Sequence, residues 1–298
     1  MNRKNVRRRR KKRRNNVQSS IYYFSYSIVQ MGNSESHTIR IHFTLIHNKQ
    51  IADSLLEQAE QKDRYIEEFK DDRVNSIARE HLNYSANSLS EKDRMYYQAM
   101  LERAVPTLPK RLQVDLGAVH VIHMMPSADG GMPHTRPDRL LCFPNLSQLQ
   151  SKTTLVHELW HLHQRMYQEL WMRVFQGLEW KPWNGTLPSH LEDNRRYNPD
   201  TIDSPLWIFQ DTWVPVPIFQ DIRSPRIQQV HIWFYQPKMK THVKELPEEF
   251  DLLYPGLPFS AYEHPRELAA YLLSDPDSYR MLPGFKKLID LVGHMAIS

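Results

Sequence analysis

The sequence predicts an α+β fold: a small mixed sheet, a long central helix, a C-terminal helical part and an N-terminal helical region. Three observations predict it. Short alternating or continuous apolar runs at residues 38–46, 119–125 and 139–143 have strand character. No Gly or Pro interrupts the chain from Leu146 to Phe175, so one helix can run through it. Residues about 50–104 also lack Gly and Pro and are rich in Glu, Gln, Lys, Leu and Ala, which are good helix formers.

Taken in order, Thr38–Ile46 alternates polar and apolar residues and reads as a strand. The 50–104 stretch reads as two or three helices that either brace the core or cover a cleft. Val119–Met125 and Arg139–Phe143 read as a hairpin-like strand pair, joined through the loop Ala128–His134. Ser147 with Gln150 offers a capping box at the start of the long helix. Leu155, Leu159, Leu162 and Met166 then form an apolar stripe at helical spacing. Residues 176–226 are rich in Trp, Pro and Asn. Pro205, Pro215 and Pro217 confine this region to loops and edge strands. Val230–Tyr235 reads as a strand, and Glu263–Leu273 as a helix opened by Pro265 at its first position.

Composition bounds the function classes. At 298 residues with 40% apolar content, the chain can bury a substantial core. No run reaches the ~18–20 apolar residues that a membrane span needs. The single cysteine, Cys142, excludes an internal disulfide, suits a reducing intracellular compartment and reads as a buried strand residue. The net charge of +5 is concentrated in one place. Residues 1–30 hold ten Lys or Arg and no acid, which leaves 29 basic against 34 acidic residues elsewhere, a net of −5. The body is therefore not a nucleic-acid surface, and no specific nucleic-acid partner is expected from it.

Residues 1–37 read as a disordered basic leader. The Arg3–Arg14 run fits nuclear targeting or phosphate binding. The apolar stretch Ile21–Val29 after it gives a loose likeness to a signal or transit peptide, but no small-residue cleavage site follows. Met31-Gly32-Asn33-Ser34-Glu35-Ser36 fits the N-myristoylation pattern. If translation started at Met31, an acylated Gly32 would give weak, reversible membrane association.

The chemistry concentrates in His157-Glu158-Leu159-Trp160-His161. On a helix, His157 and His161 stand one turn apart on one face, where two ring nitrogens can reach one Zn²⁺ ion. Glu158 beside them can act as general base towards a water. The competing reading is a polar stripe on an ordinary amphipathic helix. A catalytic zinc site needs a third protein ligand. The metzincin continuation fails, because Gln164 and Tyr167 occupy the required Gly and His positions. His163 lies on another helix face, while His120 and His123 read as strand-surface or packed residues. Glu267, in the first turn of the C-terminal helix and followed by small residues, is the favoured third ligand. Glu263 is the alternative, and a capping role towards His264 is the competing reading of Glu267.

The pentad with a downstream helical Glu resembles the Glu-zincin layout. The closer resemblance is to zinc metallopeptidase-like proteins of large nucleocytoplasmic DNA viruses and their algal or protist hosts. It rests on Met132–Arg136, His157–His161 with Gln164 and Arg165, Arg196–Asp200, and Glu263–Tyr271, four ordered blocks within about residues 117–275. The resemblance implies a zincin-like catalytic domain over 111–298, with the strand and helical region of 38–110 packed on it. It also implies one Zn²⁺ per chain, a peptide or protein substrate, and a location in host cytoplasm or virion.

In this reading His157, His161 and Glu267 bind the metal and Glu158 is the base. Tyr262, His264, His134 and Arg136 are candidates for contacting the substrate or stabilising its oxyanion. Tyr271 stands where the thermolysin-like signature has Asp, so Asp200 and Asp275 are the candidates for supporting the histidines. Arg196, Asn198 and Asp200 read as a turn near the cleft, since Asn-Pro-Asp is strong turn chemistry. A second class of function is a non-catalytic virion or membrane-associated protein that keeps zinc as a structural clamp.

Overall fold

The computed structural model describes residues 40–204 and 206–293, and these described residues belong to one compact unit. The basic run and the Gly32 pattern lie outside the described residues, as does Pro205. The architecture is α+β.

After β1 (His42–Ile46) come α1 (Lys49–Asp63), α2 (Tyr65–Asp71), α3 (Arg73–Arg79) and α4 (Glu91–Ala104). This is one or two helices more than composition suggested. Two breaks explain the difference. Arg64 takes a left-handed conformation at φ 55°, and Asp72 is extended and caps α3 by accepting from Val74 and Asn75 N–H. Asn48 and Ser90 cap α1 and α4 in the same manner.

The chain continues through α5 (Lys110–Asp115), β2 (Ala118–His123), β3 (His134–Arg136) and β4 (Leu140–Phe143). The main sheet has the order β1-β2-β4-β3. Here the expected hairpin of residues 119–125 with 139–143 is corrected: β2 and β4 run parallel. The antiparallel partner of β4 is the short β3, which follows the 3-10 turn at Ala128–Gly131. Asp138 and Arg139, at φ 62° and 60°, make the tight reversal from β3 to β4. The sheet also joins both sides of the boundary expected near residue 110, because β1 pairs with β2.

Strand alternation sorts the sheet's two faces. Phe43, Leu45, Val119, Val121, Leu141 and Phe143 enter the main core, whereas Ile122, Leu140 and Cys142 pack with Ala52, Leu56 and Ala59 of α1. Against the first face lies α6 (Lys152–Met166), whose Leu155, Leu159 and Leu162 are essentially inaccessible. Burial of each stabilises the helix position by about 1.5–3 kcal/mol. The helix starts later than the capping box implied. Asn145 takes the Ser147 N–H and hydroxyl into a separate 3-10 turn at Leu146–Gln150, and Ser151 caps α6 through Thr154 N–H. The long helical run also divides at Tyr167 (φ −117°, ψ 52°), where α7 (Gln168–Gly177) begins.

Beyond it are β5 (Trp180–Trp183), α8 (Ser189–Glu192), β6 (Leu206–Phe209), β7 (Val214–Phe219), β8 (Val230–Gln236) and β9 (Thr241–Val243). Pro215 and Pro217 sit in β7, at the edge of the β7-β8-β9 sheet. Their missing N–H groups therefore break no central ladder. The outer side of β7 receives Arg196 N–H at the Pro217 carbonyl, 2.8 Å, and this anchors the segment that reaches the site. The chain closes with α9 (Glu248–Leu253), α10 (Pro265–Ser274), α11 (Pro276–Tyr279) and α12 (Pro283–Gly293). Leu268, Ala269 and Ala270 of α10 are fully buried in the same core as Leu155 and Leu159 of α6.

Candidate metal centre

The helix α6 sets His157 and His161 one turn apart, with their Nε2 atoms 3.0 Å from each other. From α10, Glu267 Oε2 reaches 3.3 Å from His157 Nε2 and 3.4 Å from His161 Nε2. For zinc–donor bonds near 2.0–2.1 Å in a tetrahedron, donor-to-donor separations come to about 3.3 Å. The observed triangle therefore has the size of one face of a zinc coordination shell. Among the described residues, this is the one group of three or more metal-capable side chains. Glu267 is not a backbone cap; its carboxylate faces the histidines. His157 is the most open of the three, with 15% of its side chain exposed against 1% for His161 and 9% for Glu267.

Two amides orient these side chains, and neither role was read from the sequence. Gln164 Nε2 donates to the Arg266 carbonyl at 3.0 Å, which places Gln164 Oε1 against His161 Nδ1, also at 3.0 Å. An amide oxygen only accepts, so Nδ1 carries a proton, and loss of the other proton leaves the lone pair on Nε2. The i,i+3 spacing of His161 and Gln164 was the available signal.

Asn198 Nδ2 donates to Glu267 Oε1 at 2.8 Å and to Glu263 Oε1 at 3.2 Å. The expected turn is present too: Asn198 Oδ1 accepts from Asp200 N–H. Side chains from three helices hold that turn. Asn75 pairs with Tyr197 N–H and the Arg195 carbonyl, Arg79 donates to the Tyr197 carbonyl, and Arg165 donates to that of Pro199. Arg266 donates to the Asp200 carbonyl. Glu263, the alternative ligand, is instead bound by Arg196 and Asn198.

Electrostatics couple the groups of the centre. Burial, then Asp200 and Glu267, raise the Glu158 carboxyl well above the ordinary carboxylate range, with His161 opposing. Glu158 Oε2 is buried and has no hydrogen-bond partner among the described residues. Burial would lower His161, but Glu267, Asp200 and Glu158 outweigh it and push it up to about 9. Burial would likewise raise Glu267, yet His161 and His157 hold it far below its usual value. Three carboxylates thus crowd the imidazole pair, and at neutral pH the site takes up positive charge. A divalent cation competes with the proton for the same position. The donor chemistry, two imidazole nitrogens and one carboxylate oxygen, fits zinc.

The other expected contacts lie elsewhere. Tyr262 donates its hydroxyl to the Tyr254 carbonyl at 2.6 Å, within an aromatic cluster with Phe250 and Phe259. Arg136 is fully buried between Asp63, Glu60 and the Tyr84 hydroxyl. His134 has both ring nitrogens engaged, with Tyr84 at 2.7 Å and the Met132 carbonyl at 3.1 Å; burial lowers its pKa and keeps it neutral. His264 caps α10, its Nδ1 accepting from Arg266 N–H. Asp275 caps α11 through Ser278. Asp200 bonds Thr135 through the backbone N–H and the hydroxyl, so it acts on the site by its charge rather than by bonding a histidine. His163 is withdrawn from the centre, paired with Asp115 and Trp171. Cys142 is buried as expected, and burial raises its thiol to about 12. Tyr271, not among the expected contacts, meets the His157 ring edge-on at 4.8 Å and bonds Ser260 Oγ at 2.9 Å.

Comparison of the chain with protein-family models, with curated proteins and with solved structures finds no match in any of the three.

Proposed function

We propose that this chain is a zinc-dependent metallopeptidase with a zincin-like core, in which His157, His161 and Glu267 hold one Zn²⁺ and Glu158 is the general base. One observation carries the reading: the Nε2, Nε2 and Oε2 atoms form a triangle with edges of 3.0, 3.3 and 3.4 Å. When bound, zinc would supply Lewis acidity to the scissile carbonyl and lower the pKa of water at its open position.

The residues of the chain do the rest. Glu158, beside the ligands on the same helix, accepts a proton from water as the water oxygen bonds to the carbonyl carbon. It then delivers that proton to the leaving amine nitrogen as the carbon–nitrogen bond breaks. Gln164 holds His161 in the ligating tautomer, and Asn198 fixes the second oxygen of Glu267 so that the first faces the histidines. A peptide or protein is the proposed substrate.

A purely structural zinc clamp is the rival reading. The unpartnered, buried Oε2 of Glu158 favours the enzyme, because a closed clamp has no use for a second carboxylate beside its ligands. No helix among the described residues is long and apolar enough to cross a membrane.

The test is Glu158→Gln in the full chain, assayed on a proteome-derived peptide pool read by mass spectrometry. The expected result is an unchanged zinc content of one per chain, with hydrolysis reduced by about 10²–10⁴. Undiminished turnover in this variant refutes the assigned base.

A further inference from the structure

A peptide carbonyl that is attacked by water develops negative charge on its oxygen, and preorganised hydrogen-bond donors at that oxygen lower the barrier. Three of the four residues expected to supply such a donor are engaged elsewhere. Tyr262 donates to the Tyr254 carbonyl, Arg136 to Asp63, Glu60 and Tyr84, and His134 is held at both ring nitrogens. His264 uses Nδ1 to cap α10.

One hydroxyl lies where the others do not. Tyr271 follows Glu267 by four residues on α10, one turn on and on the same face of the helix as the ligand carboxylate. Its ring sits 4.8 Å from the ring of His157, the most open of the three ligands, at an interplanar angle of 75°. Its hydroxyl is 2.9 Å from Oγ of Ser260, an exposed residue in the 3-10 turn Phe259–Glu263 that leads into α10. The phenol thus extends from the His157 ring to Ser260, an exposed residue of the preceding turn.

We propose that Tyr271 is a catalytic residue, donating a hydrogen bond to the scissile carbonyl oxygen as that oxygen becomes negative, with Ser260 holding the phenol in place. The proposal rests on the metallopeptidase reading. A hydroxyl can donate once and still accept. Ser260 Oγ–H can therefore donate to the Tyr271 oxygen while Tyr271 O–H turns to the substrate. Such a relay polarises the outgoing bond. No covalent bond is made or broken by Tyr271; the proton stays on the phenol.

Gln164 supports His161 and Asn198 supports Glu267, so neither ligand depends on Tyr271 for those hydrogen bonds.

The experiment compares the zinc-loaded full chain with Tyr271→Phe and Ser260→Ala. Zinc affinity is measured by chelator competition and folding by thermal unfolding. Steady-state kinetics use the peptide that wild type cleaves best from a proteome-derived pool. Cobalt-substituted protein is titrated with acetohydroxamate as a metal-directed probe whose oxygens occupy the carbonyl position. The expected result for Tyr271→Phe is a kcat lower by about 10²-fold, KM and zinc affinity each within threefold, and acetohydroxamate binding weaker by about tenfold. Ser260→Ala lowers kcat by about tenfold or less, with zinc affinity unchanged.

Two results overturn the role. Retention of kcat within threefold in Tyr271→Phe is one. A loss of zinc affinity that parallels the loss of kcat is the other, since that marks Tyr271 as packing for His157 alone. A wild-type chain that binds zinc and cleaves peptides while Tyr271→Phe does so equally well defeats only this proposal. A wild-type chain that takes up no metal, or takes it up and cleaves nothing, defeats the metallopeptidase reading and the Tyr271 role with it.

Discussion

Gln164→Met is the perturbation that isolates the hydrogen bond that would ready His161 for the proposed metal. Methionine keeps the length and approximate volume of the side chain while removing both polar ends. Two hydrogen bonds go: His161 Nδ1 to Gln164 Oε1, and Gln164 Nε2 to the Arg266 carbonyl, each 3.0 Å. The second loss acts on stability. Gln164 and Arg266 are both buried, so the Arg266 carbonyl loses a donor where water reaches poorly, at a cost of about 1–3 kcal/mol. The first loss acts on metal affinity. Without an acceptor at Nδ1, the neutral ring no longer prefers to keep its proton there, and binding must pull the tautomer across. Hydrogen-bonded outer partners of metal-bound histidines are worth 10–100-fold in affinity. A neutral amide belongs at the lower end, near tenfold, which corresponds to about 1.4 kcal/mol. The assay is zinc affinity by chelator competition, paired with apo-protein thermal unfolding to separate the two losses. A variant that folds and binds zinc within threefold of wild type refutes the tautomer argument.

Further outcomes follow from other parts of the molecule. Burial would raise the Asp203 carboxyl, but Arg165 at 3.1 Å and Arg266 at 2.5 Å outweigh it and hold it below the ordinary value. A depressed carboxyl contributes stability above its unfolded-state pKa and loses it as pH falls through the folded-state value. Asp203→Asn is therefore expected to be less stable than wild type at pH 7, with the gap closing under acid denaturation below about pH 4. The Asp203 side chain is 23% exposed, so solvent screening holds the gap to about 1 kcal/mol; a gap that is constant with pH contradicts the assignment. Gly284→Ala drives a methyl into the buried ring of Tyr254, and chemical denaturation should show a loss of about 1–3 kcal/mol or more. Zinc affinity of the folded Gly284→Ala protein should not change, because no candidate ligand touches that contact; a parallel loss would tie α12 to the centre.

What was legible in the sequence and what was not divide along a physical line. Spacing within a helix is local, so the placement of His157 and His161 on one face could be read directly. Pro265 at the first position marked α10, and Glu267 fell in its first turn. The parallel pairing of β2 with β4 could not be read, because apolar runs carry no direction and the intervening β3 is only three residues long. The fate of the expected donors was hidden for a related reason. Arg136 and His134 look available in a Met-Pro-His-Thr-Arg run, yet Tyr84, Glu60 and Asp63 arrive from helices and loops 50 or more residues away to occupy them. Asn198 combined both cases. Its turn chemistry was visible in Asn-Pro-Asp, but its grip on Glu267 depends on Asn75, Arg79 and Arg165 holding that turn against α10.

The central claim is that three side chains, His157, His161 and Glu267, hold one metal ion. Native mass spectrometry of the zinc-equilibrated full chain, with His161→Ala and Glu267→Gln alongside it, tests this most directly. The expected result is one zinc per wild-type chain, none in His161→Ala, and affinity reduced by at least about tenfold in Glu267→Gln, a protein whose amide oxygen is a weaker ligand. Wild-type protein that takes up no zinc contradicts the account, as does a Glu267→Gln protein that holds zinc as tightly as wild type.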